Sequence, residues 1–213
     1  MTNQLEQACA QYGDHAERNT MPEAVTNCAY VWDTYAYYEL YKREFSCDEC
    51  DKIIGMHRDH DLVFGRIPSG TGLVRNSDLF WIPCNIKTQW IFSRLSKVIE
   101  QYNARYGFQL APDIGQAQLT RYRPGQHYDW HMDLGPNQSS LRKITVVVEL
   151  TSQAQIEGGG LEVFYGESQD NRLALDIGDV AVFPSFVMHR ASIVNSGVRW
   201  SLVLWLNGLT PLK

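Results

Sequence analysis

The stretch from Arg121 to Gly135 reads RYRPGQHYDWHMDLG, and the interpretation of the whole chain starts from it. Within this stretch, His131 and Asp133 are separated by a single residue. Because alternate side chains of a β-strand point to the same face, the imidazole and the carboxylate can both face the interior of a barrel. They are good ligands for a divalent first-row metal, but two ligands are too few. The sequence therefore predicts a metal site whose third ligand comes from elsewhere in the chain.

Short apolar alternations surround this stretch and continue to the end of the chain. Polar and Gly-rich breaks separate them, such as Gly135–Pro136–Asn137 and Gly158–Gly159–Gly160. Eight short strands in about 90 residues favour a barrel or a jelly roll over alternating α/β winding. The predicted strands span residues 116–123, 127–133, 143–151, 161–165, 172–176, 179–183, 188–194 and 199–206.

Helical patterns are concentrated in the first half of the chain. Ser46 followed by Glu49 predicts a capping box at the start of a helix over residues 46–59. Apolar residues recur at helical spacing over residues 88–104, which predicts a second helix. We therefore expect a mainly β fold with flanking helices packed on one sheet. Residues 1–115 are expected to form a helical and extended region that supports a core of residues 116–213, within a single compact domain.

The best candidate for the third metal ligand is His189, at the start of a predicted strand far along the chain. Two histidines and one carboxylate on one face of an octahedral metal leave three positions open. This arrangement is the facial triad of non-haem Fe(II) oxygenases, and its open positions admit a bidentate co-substrate and O₂. His127 has the same strand parity as His131, but we expect it to lie outside the ligand set.

A keto-acid co-substrate needs an anchor for its distal carboxylate, and Arg199 on the next predicted strand is the candidate. Ser201 shares its face, and a planar guanidinium with a hydroxyl suits a carboxylate. Tyr122, before the Pro124–Gly125 turn, can add a phenolic hydrogen bond. Alternatives stay open for each residue: a surface ion pair of Arg199 with an acidic residue such as Glu149, a plain core aromatic for Tyr122, and a backbone partner for Ser201.

Residues from about 116 to 207 resemble the 2-oxoglutarate/Fe(II) dioxygenase superfamily, and most of all its prolyl 4-hydroxylase-like branch. The similarity rests on motifs that occur in the family's order. These are Tyr122-x-x-Gly125-x-x-Tyr128-x-x-His131-x-Asp133, Arg142-Lys-Ile-Thr145, Gly158-Gly159-x-Leu161, Gly178-Asp179, Phe183-Pro184-Ser185, His189 and Arg199-x-Ser201 leading to Trp205. The segment from Phe45 through Trp81 is similar to the branch's N-terminal region, more loosely.

The resemblance implies a double-stranded β-helix (jelly-roll) fold, bound Fe(II), 2-oxoglutarate as co-substrate with O₂, and ascorbate as a supporting reductant. It implies hydroxylation of an unactivated C–H bond, with a prolyl-type residue in a protein or peptide as the leading substrate. Collagen-type prolyl hydroxylases usually carry Lys where this chain has Arg199, which weakens the case for a procollagen-like substrate. Related halogenases replace the ligand carboxylate, so Asp133 favours hydroxylation.

Two other functions remain open from the sequence. The first is hydroxylation of a free amino acid or another small metabolite, because loops at the barrel mouth select the substrate and the fold does not. Residues 60–80 and 134–142 are expected to form those loops. The second is a non-catalytic jelly-roll module that keeps a metal for structure only. Cys47-x-x-Cys50 lacks a second such pair, so we interpret it as part of a capped helix and not as a zinc site.

Composition restricts the remaining possibilities. The chain has 213 residues and a formal net charge of −5, so it carries no electrostatic signature of nucleic-acid or anionic-membrane binding. We find no apolar run of the roughly 18–20 residues that a membrane span needs, and no secretory signal at the N-terminus. Five irregularly placed cysteines do not resemble a disulfide framework. These features predict a cytoplasmic protein, and they leave its oligomeric state open.

Overall fold

The computed structural model describes residues 38–57, 61–69, 72–164 and 171–212, which belong to a compact unit spanning Tyr37–Lys213. The part of the expected N-terminal region that precedes residue 38 lies outside the described residues. Two α-helices occur in the described part, α1 (Cys47–Ile54) and α2 (Gln89–Tyr106). The strands are β1 (Glu39–Tyr41), β2 (Val63–Ser69), β3 (Gly72–Pro83), β4 (Gln116–Tyr122), β5 (His127–His131), β6 (Arg142–Glu149), β7 (Glu157–Gly158), β8 (Leu161–Val163), β9 (Val180–Pro184), β10 (His189–Ala191), β11 (Val194–Ser196) and β12 (Arg199–Asn207).

Most of these strands form one curled antiparallel sheet. Its hydrogen-bonded order is β1-β9-β6-β12-β4-β3-β5-β10-β8, with β2 paired to β3, while β7 and β11 form a separate pair. Apart from the consecutive pairs β2–β3 and β3–β4, neighbours in this sheet are not consecutive along the chain, as in a jelly roll, so the fold is the double-stranded β-helix expected from the sequence. Within the described part of the chain, neither helix combines the length and the hydropathy that a membrane span requires.

The two faces of the sheet differ in chemistry because side chains alternate along each strand. One face packs against α1 and α2, and β6 and β12 contribute the buried residues Ile144, Val146, Val148, Leu202, Leu204 and Leu206 to that core. The residues between them point the other way, into the concave side of the sheet. They include the polar residues Thr145 and Glu149 of β6, and Arg199 and Ser201 of β12, all of them buried. The concave side is therefore where a polar site can form.

Local sequence explains both helices. Ser46 caps α1, since its hydroxyl accepts from Glu49 N while the Glu49 carboxylate accepts from Ser46 N over 2.9 Å. This is the predicted capping box. Helix α2 ends at Gly107, which adopts a left-handed conformation with φ +67°. Buried apolar residues of α2, including Ile91, Leu95 and Tyr102, face the sheet.

Three expectations about the strands need correction. Residues 172–176 do not form a strand; Arg172 makes one isolated bridge to Glu162. The expected strand over 188–194 divides into β10 and β11. Residues 60–80 are not simply mouth loops, because within them β2 and β3 form a hairpin, and β3 lies between β4 and β5 in the sheet. The reason is that a strand recruited from the N-terminal half adds ladder hydrogen bonds that a local pattern does not reveal.

Candidate active site

Three side chains remote in sequence converge on the concave side of the sheet. His131 ends β5, His189 begins β10, and the ladder places them directly opposite each other. Asp133 follows two residues after His131. One ligand atom from each of the three residues lies within 4.8 Å of the others. Asp133 Oδ1 is 3.8 Å from His131 Nε2, and Asp133 Oδ2 is 3.4 Å from His189 Nε2. The structure therefore brings together all three residues that the sequence suggested as metal ligands.

A bulge in β5 decides which of its residues face this cluster. His189 pairs with His131, whereas Ala191 pairs with Tyr128, so β5 has one residue more than β10 between the two pairs. Tyr128 and His131 consequently share the inner face, and their rings stack with centroids 3.4 Å apart. His127 is turned outward and lines a surface groove with Asp129 and Arg190. Its place outside the ligand cluster agrees with expectation.

Hydrogen bonds fix the orientation of each potential ligand. His131 Nδ1 lies 2.7 Å from Asp129 O, and His189 Nδ1 lies 2.9 Å from Val187 O. A backbone acceptor at Nδ1 keeps the proton there and leaves the Nε2 lone pair for a metal. Thr145 donates to Asp133 Oδ2 over 2.8 Å. Such outer partners are typical of metal sites in proteins.

The electrostatics of the cluster favour metal binding. Burial and, to a smaller extent, the nearby His189 lower the pKa of His131 to about 4, against the opposing effect of Asp133. Burial by itself would raise the pKa of Asp133, but His189 and His131 outweigh it and hold that pKa below its usual value. At neutral pH, His131 is then neutral and Asp133 is ionised. Those are the protonation states in which both groups bind metals.

A small cavity opens beside the cluster. Tyr122, Arg199 and Ser201 all line it, so the three residues suggested for the co-substrate lie in one wall region next to the three suggested ligands. The Arg199 guanidinium lies 5.6 Å from the centre of the Tyr122 ring. Apolar lining residues, among them Val147, Leu161 and Val203, limit the number of polar groups in the cavity.

Arg199 does pair with Glu149, but not at the surface. Glu149 Oε2 accepts from Arg199 Nε over 3.0 Å and from Nη2 over 2.8 Å, and the exposed fractions of the two side chains are 1% and 2%. The ion pair considered from the sequence has the expected partner, but it lies in the interior and not at the surface. Because the pair is buried, it belongs to the chemistry of the cavity.

Arg75 is a cavity residue that the sequence did not single out. It lies on β3, is 9% exposed, and donates to Gln118 Oε1 over 2.6 Å and to Ser77 Oγ over 3.0 Å. Its guanidinium also lies 4.7 Å from the Tyr128 ring centre. The signal in the sequence was weak, because Arg75 lies in an extended segment whose place in the sheet only long-range pairing reveals.

A family model described as the 2OG-Fe(II) oxygenase superfamily matches residues 117–207, which contain the whole ligand cluster and Arg199. This part of the chain is similar to the 2OG-Fe(II) oxygenase superfamily. The family's name specifies Fe(II) and 2-oxoglutarate, and the residues present fit both. Two imidazoles and a carboxylate converge as a facial ligand set, and a buried guanidinium lines the same cavity.

Curated proteins that this chain resembles include PKHD-type hydroxylases. One from Idiomarina loihiensis is 28% identical over 123 residues, which is 57% of this chain and 54% of the relative. One from Synechococcus sp. strain CC9605 is 27% identical over 99 residues, 46% of this chain and 45% of the relative. The chain thus spans about half the length of these relatives.

Solved structures of prolyl hydroxylases share the fold. A Pseudomonas putida prolyl-4-hydroxylase matches with a TM-score of 0.67 at 18% identity, over 82% of this chain and 94% of that one. A Trichoplax adhaerens prolyl hydroxylase, solved in complex with a peptide fragment of the hypoxia inducible factor oxygen degradation domain, matches with a TM-score of 0.65 at 17% identity. That match covers 80% of this chain and 83% of the Trichoplax chain.

Proposed function

We propose that this chain is an Fe(II)- and 2-oxoglutarate-dependent dioxygenase that hydroxylates an unactivated C–H bond. His131, Asp133 and His189 hold the metal. The observation that carries the proposal is the convergence of these three donors, within 4.8 Å of one another, in the wall of a cavity that also contains Arg199. A structural metal site would be closed by a fourth ligand, and among the described residues no fourth His, Cys, Asp or Glu joins the cluster.

The bound metal and 2-oxoglutarate supply the oxidising chemistry, and the protein supplies placement and a water-poor site. Arg199 holds the distal carboxylate of the co-substrate, with Ser201 and Tyr122 as neighbouring polar groups. The hydrogen bonds at Nδ1 of His131 and His189 orient their rings, while Thr145 orients Asp133. Val147, Leu161 and Val203 line the same cavity, and their apolar surfaces make it less favourable for water.

The substrate that best fits the relatives is a prolyl-type residue in a protein or peptide. Structural neighbours from Pseudomonas putida and Trichoplax adhaerens are described as prolyl hydroxylases, and the second was solved with a peptide. One observation favours a free amino acid or another small anionic metabolite as the second candidate. No carboxylate among the described residues pairs with the buried guanidinium of Arg75, so this group suits an anionic substrate group.

The test of oxygenase activity is turnover of 2-oxoglutarate without a prime substrate. With Fe(II) and ascorbate, we expect slow formation of succinate that is lost in His131→Ala and Asp133→Ala. The matched control is His127→Ala, which removes an imidazole that faces away from the cluster. A metal-binding module would produce no succinate, and undiminished succinate formation by Asp133→Ala would show that the ligand set is wrong.

The test of substrate class is mass spectrometry of the products. The protein would be incubated separately with proline-containing peptides and with free amino acids, and each mixture searched for the mass gain of one oxygen atom. Oxidised peptides alone would support a polypeptide substrate. Oxidised free amino acids alone would support the second candidate and contradict the first.

A further inference from the structure

The guanidinium that would anchor the co-substrate already has a buried carboxylate as its partner. Both Nε and Nη2 of Arg199 donate to the same oxygen, Glu149 Oε2. A carboxylate at this edge of the guanidinium cancels its charge before any ligand arrives. This feature distinguishes Arg199 from Arg75, whose hydrogen-bond acceptors Gln118 and Ser77 are neutral.

Glu149 contacts the Nε and Nη2 edge of Arg199 without lining the cavity itself. It is the last residue of β6 and lies opposite Ser201 of β12 in the ladder. Arg199 and Ser201 line the cavity, whereas Glu149 does not. The carboxylate therefore occupies one edge of the guanidinium and leaves its other edge for a ligand that enters the cavity.

The second oxygen of this carboxylate has no neutralising contact. Glu149 is fully buried, and Oε1 has no hydrogen-bond partner among the described residues. Burial raises the pKa of Glu149, although Arg199 and a hydrogen bond from the Thr151 backbone act in the opposite direction. The other charged group that acts on it is Arg172. On β9's side, Asp179 contributes its backbone carbonyl to Glu149 N, while its own carboxylate binds Lys42 and Arg43 N.

We propose that Glu149 takes up one proton when the distal carboxylate of 2-oxoglutarate binds to Arg199, and that Glu149 thereby sets the affinity of the protein for its co-substrate. The inference rests on the proposed function, since it assumes that Arg199 is the anchor. The proton comes from solvent and forms an O–H bond on the Glu149 carboxyl group. Arg199 stays protonated and then forms its ion pair with the ligand.

The physical reason is a shortage of positive charge. Two carboxylates that share one guanidinium in a water-poor site repel each other, and one of them gains a proton most easily. The distal ligand carboxylate is an ordinary aliphatic carboxyl group, about as acidic in water as a glutamate side chain. Glu149 is the one that is already buried and has an oxygen available for a proton. Leaving both ionised would bury an uncompensated charge, which is strongly unfavourable. The rival account is that Arg75 balances the ligand charge, and then no proton is needed.

Calorimetry distinguishes the two accounts without any turnover. 2-Oxoglutarate would be titrated into Mn(II)-loaded protein in two buffers that do not bind metals and that differ in enthalpy of ionisation. The difference between the two heats gives the number of protons taken up. We expect about one proton per bound ligand, and a dissociation constant that rises roughly ten-fold per pH unit where Glu149 is ionised in the free protein.

The informative variant is Glu149→Gln, which keeps an oxygen acceptor for Arg199 and removes the charge. We expect it to bind 2-oxoglutarate more tightly than the wild type at high pH, with proton uptake near zero. The matched control is Glu162→Gln, which removes a carboxylate bound to Arg190 outside the cavity and is expected to behave as the wild type.

Binding without proton uptake in the wild type overturns the role of Glu149 and leaves the proposed function intact. Proton uptake that persists in Glu149→Gln also overturns it. If Glu149→Gln does not fold, the wild-type proton count and pH series still test the inference. If the Mn(II)-loaded wild type does not bind 2-oxoglutarate at all, the proposed function itself fails.

Discussion

Thr145 donates a hydrogen bond to Asp133 Oδ2 over 2.8 Å, although one residue lies on β6 and the other beyond the end of β5. Asp133 is also fixed through its backbone, since its N–H donates to Ser185 O over 3.0 Å. Ser185 Oγ in turn lies 3.0 Å from Thr145 Oγ1. Asp133 therefore lies outside the regular strand but is held by two neighbouring elements.

Replacing Thr145 tests whether this contact supports metal binding. Thr145→Val keeps the shape of the side chain and removes the hydrogen bond, so we expect metal affinity to fall by roughly 10–100-fold. Competition with a chelator of known affinity measures it. Thr151→Val is the control, because Thr151 is buried but accepts from Trp200 N, away from the metal ligands. Equal losses of metal affinity in both variants would contradict a specific role for Thr145.

Removing Arg199 is expected to destabilise the protein in addition to weakening co-substrate binding. Arg199→Met leaves Glu149 buried without its partner, which costs about 3–5 kcal/mol of unfolding free energy. The double variant Arg199→Met/Glu149→Leu removes both charges and is expected to recover most of that loss. Denaturant unfolding measures both.

The Arg199 and Glu149 variants form a double-mutant cycle, and the more exposed pair of Arg190 and Glu162 provides its comparison. The Arg190 side chain is 36% exposed. For such an exposed pair we expect a coupling free energy of about 0–1 kcal/mol between the two side chains. A similarly small coupling between Arg199 and Glu149 would mean that water reaches the buried pair.

Gly178 is expected to tolerate no side chain. Its φ of +83° disfavours other residues, and a Cβ there would lie 1.9 Å from Phe45 O. Phe45 N also donates to Gly178 O over 3.1 Å, so displacing either backbone disrupts this contact between the start of α1 and the turn before β9. We expect Gly178→Ala to lower the unfolding free energy by roughly 2–4 kcal/mol.

Gly107→Ala is the matched control for Gly178→Ala. Gly107 also has a positive φ, but a Cβ added there would meet no described atom within 4 Å. Gly107→Ala is expected to lower the unfolding free energy by about 1 kcal/mol, because only the backbone conformation is disfavoured. Thermal or denaturant unfolding measures both variants, and equal losses would show that the backbone near Phe45 adapts.

The capping box of α1 is expected to make a pH-dependent contribution to stability. Hydrogen bonds from Arg94 and from the Ser46 backbone lower the pKa of Glu49 below its ordinary value of 4.5. A carboxyl group whose pKa is lower in the folded state stabilises that state above its unfolded pKa, and this contribution is lost as pH falls through the folded pKa. We therefore expect Glu49→Gln to be less stable than the wild type at neutral pH, by about 1 kcal/mol or less.

The difference between Glu49→Gln and the wild type should then shrink as the pH falls below 4.5. Denaturant unfolding over a pH series measures it. Glu100→Gln, at an exposed position of α2, is the control and is expected to show no such trend. A difference that stays constant with pH would place the role of Glu49 in helix propensity.

Much of the site was predictable because it depends on local patterns. A single intervening residue places His131 and Asp133 on the same side of an extended segment, and the alternation of β12 sends Arg199 and Ser201 to the same face. The capping box at Ser46 and Glu49 is equally local, and the structure contains it. Each of these predictions required only the repeat of a strand or of a helical turn.

Other features were missed because they depend on pairing between distant segments. Strand alternation alone would place His127 on the same face as His131, but the bulge in β5 turns His127 outward. The bulge is evident only when pairing with β10 fixes the register of β5. Arg75 enters the cavity because β3 inserts between β4 and β5, which no property of residues 72–83 alone dictates. The strand expected over 172–176 fails for a related reason: its apolar residues are buried by packing, without a ladder.

The sequence by itself determined the donor atoms, the alternation that aims them inward, and the apolar content of the strands that carry them. Only the tertiary structure decided their distances, the burial of the Arg199–Glu149 pair, and the presence of Arg75 in the same cavity. The physical reason is that side-chain direction follows from local backbone geometry, whereas proximity and loss of solvent depend on which strands become neighbours in the curled sheet.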